Sequence, residues 1–253
     1  MTIDPRAASG FGEGASVSAY ERGRPGYAPE AVGHLARELD LTQRSTVLDL
    51  AAGTGKLTRS LTPTAGRVIA VEPSPAMLSE LRRQLPAIES RAGTVEAIPL
   101  ADASVDAVTV GQAFHWFHAT RAFEEIARVL RPGGGLGLVW NHEQWDLPWV
   151  DEFRALTQPH RRAAGPFPAE GETWRDALKR SGLFAPLQSA EFAHVHHVPP
   201  DAFVALVASW SWIANLPDEQ RAGLLEQVGA LASDRPQLSL RYRTEVHWTR
   251  RLG

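Results

Sequence analysis

Two rhythms of apolar and polar positions alternate along residues 30–141. Short, nearly continuous apolar runs occur in TVLDLAA, VIAVEPS, VDAVTVG and GLGLVWN, with a weaker one in IESRAGTVEAIP. Such runs predict strands buried on both faces. Between them, apolar residues recur at helical spacing. Val32, Leu35, Ala36 and Leu39 follow Pro29, which suits a first helical turn. LTRSLTP opens a second helix, Met77, Leu78, Leu81 and Leu85 line a third, and TRAFEEIARVL forms a fourth that stops at Arg131-Pro132-Gly133. Strands alternating with helices predict an α/β fold, a mostly parallel sheet covered on both faces.

The flanks are less regular. Residues 1–28 read as an N-terminal lid loop carrying Tyr20, Arg24 and Tyr27, and residues 142–172 as a cap insertion with one helix inside. TWRDALKRSGLF predicts a helix ending at Gly182. PDAFVALVASWSWIANL and PDEQRAGLLEQVGALAS each predict one helix starting at Pro-Asp. PLQSAEFAHVHHVP predicts a strand, and LSLRYRTEVHWTRRL alternates as a final one. The whole is read as a single domain, with 30–141 as its ligand-binding core and 173–253 completing the sheet and the substrate pocket.

Composition narrows the chemistry. None of the 253 residues is cysteine, which excludes disulfides, thiolate metal sites and a cysteine nucleophile. The net charge is -3, and acids interrupt the basic pairs Arg82-Arg83, Arg161-Arg162 and Arg250-Arg251; no nucleic-acid partner is expected. No apolar run is long enough to span a bilayer, and the first residues lack a secretory pattern. The expectation is a cytoplasmic protein with no membrane partner. His115 and His118, and the cluster His194, His196 and His197, lack acidic companions at ligand spacing, so no metal is expected.

The stretch TVLDLAAGTGKLTRSL, from Thr46 to Leu61, raises three ligand readings. A phosphate loop fails because Leu50 replaces its first glycine and Leu57 its magnesium-binding hydroxyl. A dinucleotide fingerprint lacks its third glycine, where Thr58 stands. Two acids favour the third reading, a sulfonium cofactor. Asp49, four residues before Gly53, disfavours a pyrophosphate and suits an ammonium and a sulfonium charge. Glu72, closing the second strand, suits a ribose diol, and Gly53 and Gly55 let backbone approach a ligand.

The segments VLDLAAGTG, VIAVEPSPAML, GTVEAIPLADASVDAV, QAFHWF and VLRPGGGLGLV together resemble the class I S-adenosylmethionine-dependent methyltransferases, in order over residues 20–141. AYERGRPGYAP and GQAFHWF are most similar to the branch related to trans-aconitate methyltransferases, which act on small molecules. The resemblance implies a Rossmann-like sheet of seven strands, the last inserted antiparallel beside the fifth, and S-adenosyl-L-methionine as cofactor, with S-adenosyl-L-homocysteine as product. It implies that Asp49, Ala51, Gly53 and Gly55 line the methionine end, although Ala51 replaces a more usual glycine. Glu72 would bind the ribose and Pro73 border the adenine. Thr94 stands where many relatives have an aspartate for the adenine amine, and the Val95 backbone would serve the ring. Gln112 and Ala113 would meet the methionine amino group, with Tyr20 and Arg24 as lid residues and Arg24 pairing the carboxylate. Plainer roles exist for some of these: Asp49 as a helix cap, Glu72 as a surface acid, Tyr20 and Arg24 as packing.

Methyl transfer from sulfur is an in-line displacement, so catalysis is largely positioning. A hydroxyl or ammonium acceptor also needs a base. His115, in the loop after the fourth strand, is the leading candidate, and His142 the second. All eight tryptophans fall at or after Trp116. Those in the cap can enclose an apolar or aromatic acceptor, or simply pack it, while Arg154, Arg161 and Arg162 can hold an acidic one. The resulting expectation is methyl transfer to a small molecule, most simply at oxygen. The alternatives are a protein that binds the cofactor without transfer or for another reaction, and a nicotinamide dehydrogenase. Oligomeric state is not legible.

Overall fold

The computed structural model describes residues 14–164 and 173–253. The first part of the expected lid loop and the end of the cap, residues 1–13 and 165–172, lie outside the described residues. Seven strands form one sheet in the order β3-β2-β1-β4-β5-β7-β6. They are β1 (Thr46–Leu50), β2 (Arg67–Glu72), β3 (Glu89–Ala92), β4 (Val105–Gly111), β5 (Leu130–Glu143), β6 (Gln188–Val198) and β7 (Leu238–Arg250). The first five pair in parallel. β7 runs opposite to β5. Gln144 N–H, just past the end of β5, donates to Arg241 O near the start of β7. Arg251 N–H, just past the end of β7, donates to Gly134 O near the start of β5. The seven-stranded, mostly parallel Rossmann-like sheet is therefore as expected, including the antiparallel last strand.

The chain divides into two compact units. The larger comprises residues 26–142, 169–192 and 243–253. Its helices are α2 (Pro29–Glu38), α3 (Lys56–Leu61), α4 (Pro75–Gln84), α5 (Ala119–Val129) and α7 (Trp174–Ser181). On one sheet face Val32 and Leu35 of α2, Leu39 just past its end, and Leu57 and Leu61 of α3 pack on Val47, Val68, Ala107 and Val139. On the other, Phe123 and Ile126 of α5 and Ala177 and Leu178 of α7 pack on Leu48, Ile69, Val108 and Leu138. Period-2 strands filled with apolar residues on both faces thus match the two covering layers. The approach of α2 is close because β5 carries glycines beneath it: a Cβ at Gly137 would stand 2.8 Å from Leu35 Cδ2, and one at Gly135 2.5 Å from Leu39 Cδ2.

The second unit comprises residues 1–25, 143–168 and 193–242. Its helices are α1 (Gly14–Gly23), α6 (Val150–Ala163), α8 (Pro200–Ala208), α9 (Ser211–Ala214) and α10 (Asp218–Ala232). Trp149, Phe153, Phe203, Leu206, Trp210, Val228 and Tyr242 form its core, so most of its tryptophans serve packing. Residues 14–23, expected within a lid loop, are helical. The end of α1 sits on α8 so tightly that a Cβ on Gly23 would meet Leu206 N at 2.1 Å. The single helix expected over residues 200–216 is broken into α8 and α9. Ser209 is the cause: its hydroxyl turns back to donate to Leu206 O at 2.6 Å and receives Arg24 Nε at 2.8 Å, a local bond that competes with helix continuation. Among the described residues no helix is long and apolar enough to cross a membrane.

Candidate active site

The strand order reverses between β1 and β4, from which the chain winds outward in opposite directions. Ligands of open α/β sheets sit at that switch point, beyond the carboxyl ends of the strands. Both strands end there on a residue other than glycine in the left-handed region, Ala51 (φ 55) after β1 and Gln112 (φ 57) after β4. Such backbone costs about 1–3 kcal/mol per residue and gathers at functional sites. Gln112 is held by its N–H to Val139 O at 2.9 Å and its side-chain amide to Asn141 O at 3.1 Å. Ala113 follows, half-buried.

The turn after β1 is shaped by Gly53 (φ 58) and Gly55 (φ 88). At Gly55 a Cβ would press to 2.8 Å on Leu85, whereas at Gly53 it would meet no atom within 4 Å. Gly53 therefore borders open space, and Gly55 allows α4 to pack. Alanine at position 53 should leave the fold intact at a cost of about 1–2 kcal/mol for its left-handed backbone, yet project a methyl into that space. A thermal melt beside cofactor calorimetry checks this; binding unchanged in Gly53→Ala would show that no ligand approaches there.

Glu72, at the carboxyl end of β2, is only 6% exposed. One oxygen accepts from Gly53 N–H and the other from Ser74 N–H, each at 2.8 Å. Each oxygen keeps a second lone pair for a further donor. Burial pushes the carboxyl above its ordinary range, against the pull of those two N–H groups. Asp49 is fully buried in β1. Its Oδ2 accepts from Thr58 Oγ1 at 2.6 Å and its Oδ1 from Thr109 Oγ1 at 3.4 Å, and Thr58 N–H adds a backbone bond. Burial pushes Asp49 up to about 7 despite these donors, with Glu72 adding to the rise. The capping role is thus real: Asp49 fills the start of α3 with the protein's own carboxylate. An anion at that point would meet a like charge rather than free N–H groups.

Pro73 is half-buried beside Glu72, and β2 and β3 pair so that Glu72 is level with Ala92. Thr94 and Val95 follow two and three residues later. Thr94 bridges Ala97 in a short turn, and the Val95 side chain is buried in the core. The structure therefore brings Asp49, Ala51, Gly53, Gly55, Glu72, Pro73, Thr94, Val95, Gln112 and Ala113 to the carboxyl ends of four neighbouring strands. His115 lies in a 3-10 turn, Phe114–Trp116, beside the Trp116 ring at 5.0 Å. Tyr20 and Arg24 belong to the second unit. There Arg24 stands over the Tyr20 ring and donates to the hydroxyl and carbonyl of Ser209, so its guanidinium has a structural engagement that sequence did not reveal. Among the described residues no group of three acidic or histidine side chains is placed to hold a metal ion.

Sequence reasoning missed Thr58 and Thr109, which hold Asp49; both look like ordinary core-element threonines. It also missed Glu245, His247 and Arg175, which gather around His142. His142 Nε2 lies 2.8 Å from Glu245 Oε2, and His247 Nε2 3.0 Å from Glu245 Oε1 and 3.0 Å from Arg175 Nη2. The alternation of β7 was the available signal, since it puts Glu245 and His247 on one face.

The residues present fit S-adenosylmethionine. Burial disfavours the ionised form of both Asp49 and Glu72, so a ligand carrying positive charge would offset that cost; Glu72 has lone pairs for a diol, and Gly53 faces open space. Comparison with known proteins agrees. Residues 48–138 match a family described as a methyltransferase domain. The chain is 42% identical over 226 residues, 89% of its length and 87% of the relative's, to an uncharacterised methyltransferase of Mycobacterium tuberculosis. It is 34% identical, over 88% of its length and 86% of the relative's, to a methyltransferase-like protein of Schizosaccharomyces pombe. A solved structure of a candidate type II methyltransferase from Anaeromyxobacter dehalogenans superposes with a TM-score of 0.65 at 25% identity, covering 90% of this chain and 97% of that one. The chain belongs to the class I S-adenosylmethionine-dependent methyltransferases.

Proposed function

We propose that this methyltransferase acts on a small-molecule acceptor, at oxygen, by in-line displacement. The observation that carries the cofactor placement is Glu72, a buried carboxylate whose oxygens each spend one lone pair on backbone and keep one for a ribose hydroxyl. In this reading Asp49, Ala51, Gly53 and Gly55 surround the methionine end, Pro73, Thr94 and Val95 the adenine, and Gln112 and Ala113 the amino group. Tyr20 and Arg24 are assigned as lid residues, with Arg24 pairing the carboxylate. Bound there, S-adenosylmethionine supplies an electrophilic methyl group on a positively charged sulfur. The protein's part is to align the acceptor opposite that sulfur and exclude water, which for such displacements is most of the catalysis.

A carboxylate acceptor needs no base; a hydroxyl does. Two histidines stand at the carboxyl ends of β4 and β5: His115 in the turn after β4, and His142, expected after β5 but belonging to its last residues; His115 is the candidate that sequence favours. Resemblance to the trans-aconitate branch supports a small acceptor, as does the absence of any concentrated basic run for nucleic acid. The test is incubation with methyl-labelled cofactor and a panel of small carboxylic acids and phenols, read by mass. Labelled ester or ether is expected. Cofactor binding with no transfer to any member would favour the reading in which the cofactor is bound without methyl transfer.

A further inference from the structure

We propose that His142 is a catalytic residue, the proton acceptor for a hydroxyl substrate, and that Glu245 is the positioning residue that fixes its tautomer. This rests on the proposed transfer to oxygen.

Three observations carry it. First, position: β4 and β5 pair in parallel up to Gly111 level with Val139, and His142, three residues on, is the penultimate residue of β5, at the carboxyl end of the strand beside the one that leads into Gln112 and Ala113. Gln112 is tied by its side chain to Asn141, the residue before His142. Second, orientation: Glu245 Oε2 lies 2.8 Å from His142 Nε2. A carboxylate can only accept, so a neutral His142 donates through Nε2–H and leaves Nδ1 bare to take a proton. Nearly half of the side chain, 43%, is exposed, which leaves that nitrogen a route to a ligand. Third, the carboxylate is itself secured. Arg175 of α7 stands 3.6 Å from Glu245 Oε1, and His247 of β7 3.0 Å. Burial opposes the ionisation of Glu245, yet His247, His142 and Arg175 together hold its carboxyl below the usual range.

The surroundings are fixed by aromatic packing. Trp140 of β5 and Trp174 of α7 stack at 5.4 Å, His247 meets both edge-on, and Arg175 lies 4.4 Å over Trp174. Counting from Gln144 opposite Arg241, the residue of β7 facing His142 is Arg243, which pairs with Glu191 of β6 at 3.5 Å. The charged groups around the His142–Glu245 dyad are thus His247 and Arg243 from β7, Arg175 from α7 and, through its pairing with Arg243, Glu191 from β6. His247 is buried with Nδ1 lacking a partner; burial lowers its proton affinity, against the pull of Glu245.

In the step, the acceptor O–H bond breaks and its proton joins His142 Nδ1. The electron pair left on oxygen forms the new bond to the methyl carbon, and the C–S pair stays with sulfur. The imidazolium formed is stabilised by Glu245 and returns its proton to solvent. This is the base-and-orienter arrangement of nucleophile activation.

The test has two readouts on the full-length protein. Long-range proton–nitrogen spectra should show neutral His142 as the Nε2–H tautomer, and a mixture of tautomers in Glu245→Gln. An Nδ1–H tautomer in the unaltered protein would overturn the proposal, whether or not a phenol in the panel is methylated. With a phenol that is methylated, His142→Ala should lose about 10²-fold or more in kcat, lose the limb on which rate climbs with pH, and bind S-adenosylmethionine as before. Glu245→Asp should retain more rate than Glu245→Gln. A His142→Ala rate within twofold, or a limb abolished by His115→Ala instead, would refute it. Failure of the unaltered protein to bind S-adenosylmethionine would strike at the cofactor site itself, apart from His142.

Discussion

Replacing Glu72 by alanine should weaken S-adenosylmethionine binding by about 3 kcal/mol or more, a hundredfold or greater rise in Kd. That size follows from the carboxylate's two remaining acceptor positions. Charge-assisted bonds contribute about 1.5–3 kcal/mol each, and a ribose diol would make two. The same substitution strips Gly53 N–H and Ser74 N–H of their acceptor, so a stability loss of about 1–3 kcal/mol should accompany it. Calorimetry with S-adenosylhomocysteine on protein shown folded by its melt separates the two effects. Unchanged affinity in the folded variant would remove Glu72 from the ribose.

Asp49→Asn should act in opposite directions on stability and binding. In the folded protein Asp49 holds its proton up to about 7, from an ordinary 3.8. The unfolded chain releases that proton earlier, so Asp49 favours the folded state fully only below about pH 4 and loses that contribution as pH rises through about 7. Asparagine keeps the shape without the ionisation. Its carbonyl can accept from Thr58, and its amide can donate to Thr109 Oγ1, which itself donates to Leu48 O. The ligand-free variant should therefore match the parent at pH 4. At pH 8 it should exceed the parent by up to about 4 kcal/mol, since each tenfold change in proton affinity is worth about 1.4 kcal/mol. Denaturant titrations at the two pH values measure it. Binding should fall, because the cationic cofactor loses a buried counter-charge. In the parent, affinity should climb as pH rises through about 7, with protons released on binding below it. A parent more stable than the variant at pH 8 would contradict the burial argument.

The core of the fold was legible because its elements obey simple periods. TVLDL and VIAVE could be nothing but strands between covering layers, and Thr173 and Gly182 bracket α7 as cap residues do, with Thr173 accepting from Asp176 N–H and Gly182 at φ 62. Three features were less visible, for one reason: each depends on partners distant in sequence. Residues 14–23 were expected in a loop, yet Val17 and Ala19 are buried and the helix end is seated on α8. One expected helix became two because Ser209 is claimed by Arg24, 185 positions away. The start of β5 also moved: it begins at Leu130 and runs through Pro132 and three glycines that read as a breaker, since Gly133 and Gly134 are tied to Arg251.

The same holds at the site. Asp49, Glu72 and the glycines could be picked out from strand ends and spacing. The environment that gives Asp49 its raised proton affinity could not, because Thr109 reaches it from another strand. His142 was a second choice by sequence; Glu245, 103 positions later, is what distinguishes it.

Calorimetry of the unaltered protein with S-adenosylmethionine and, separately, with NAD at pH 6 and pH 8 tests the cofactor reading most directly. S-adenosylmethionine is expected to bind, more tightly at pH 8, and NAD, with its pyrophosphate, is expected not to. Binding of NAD with none of S-adenosylmethionine would contradict that reading.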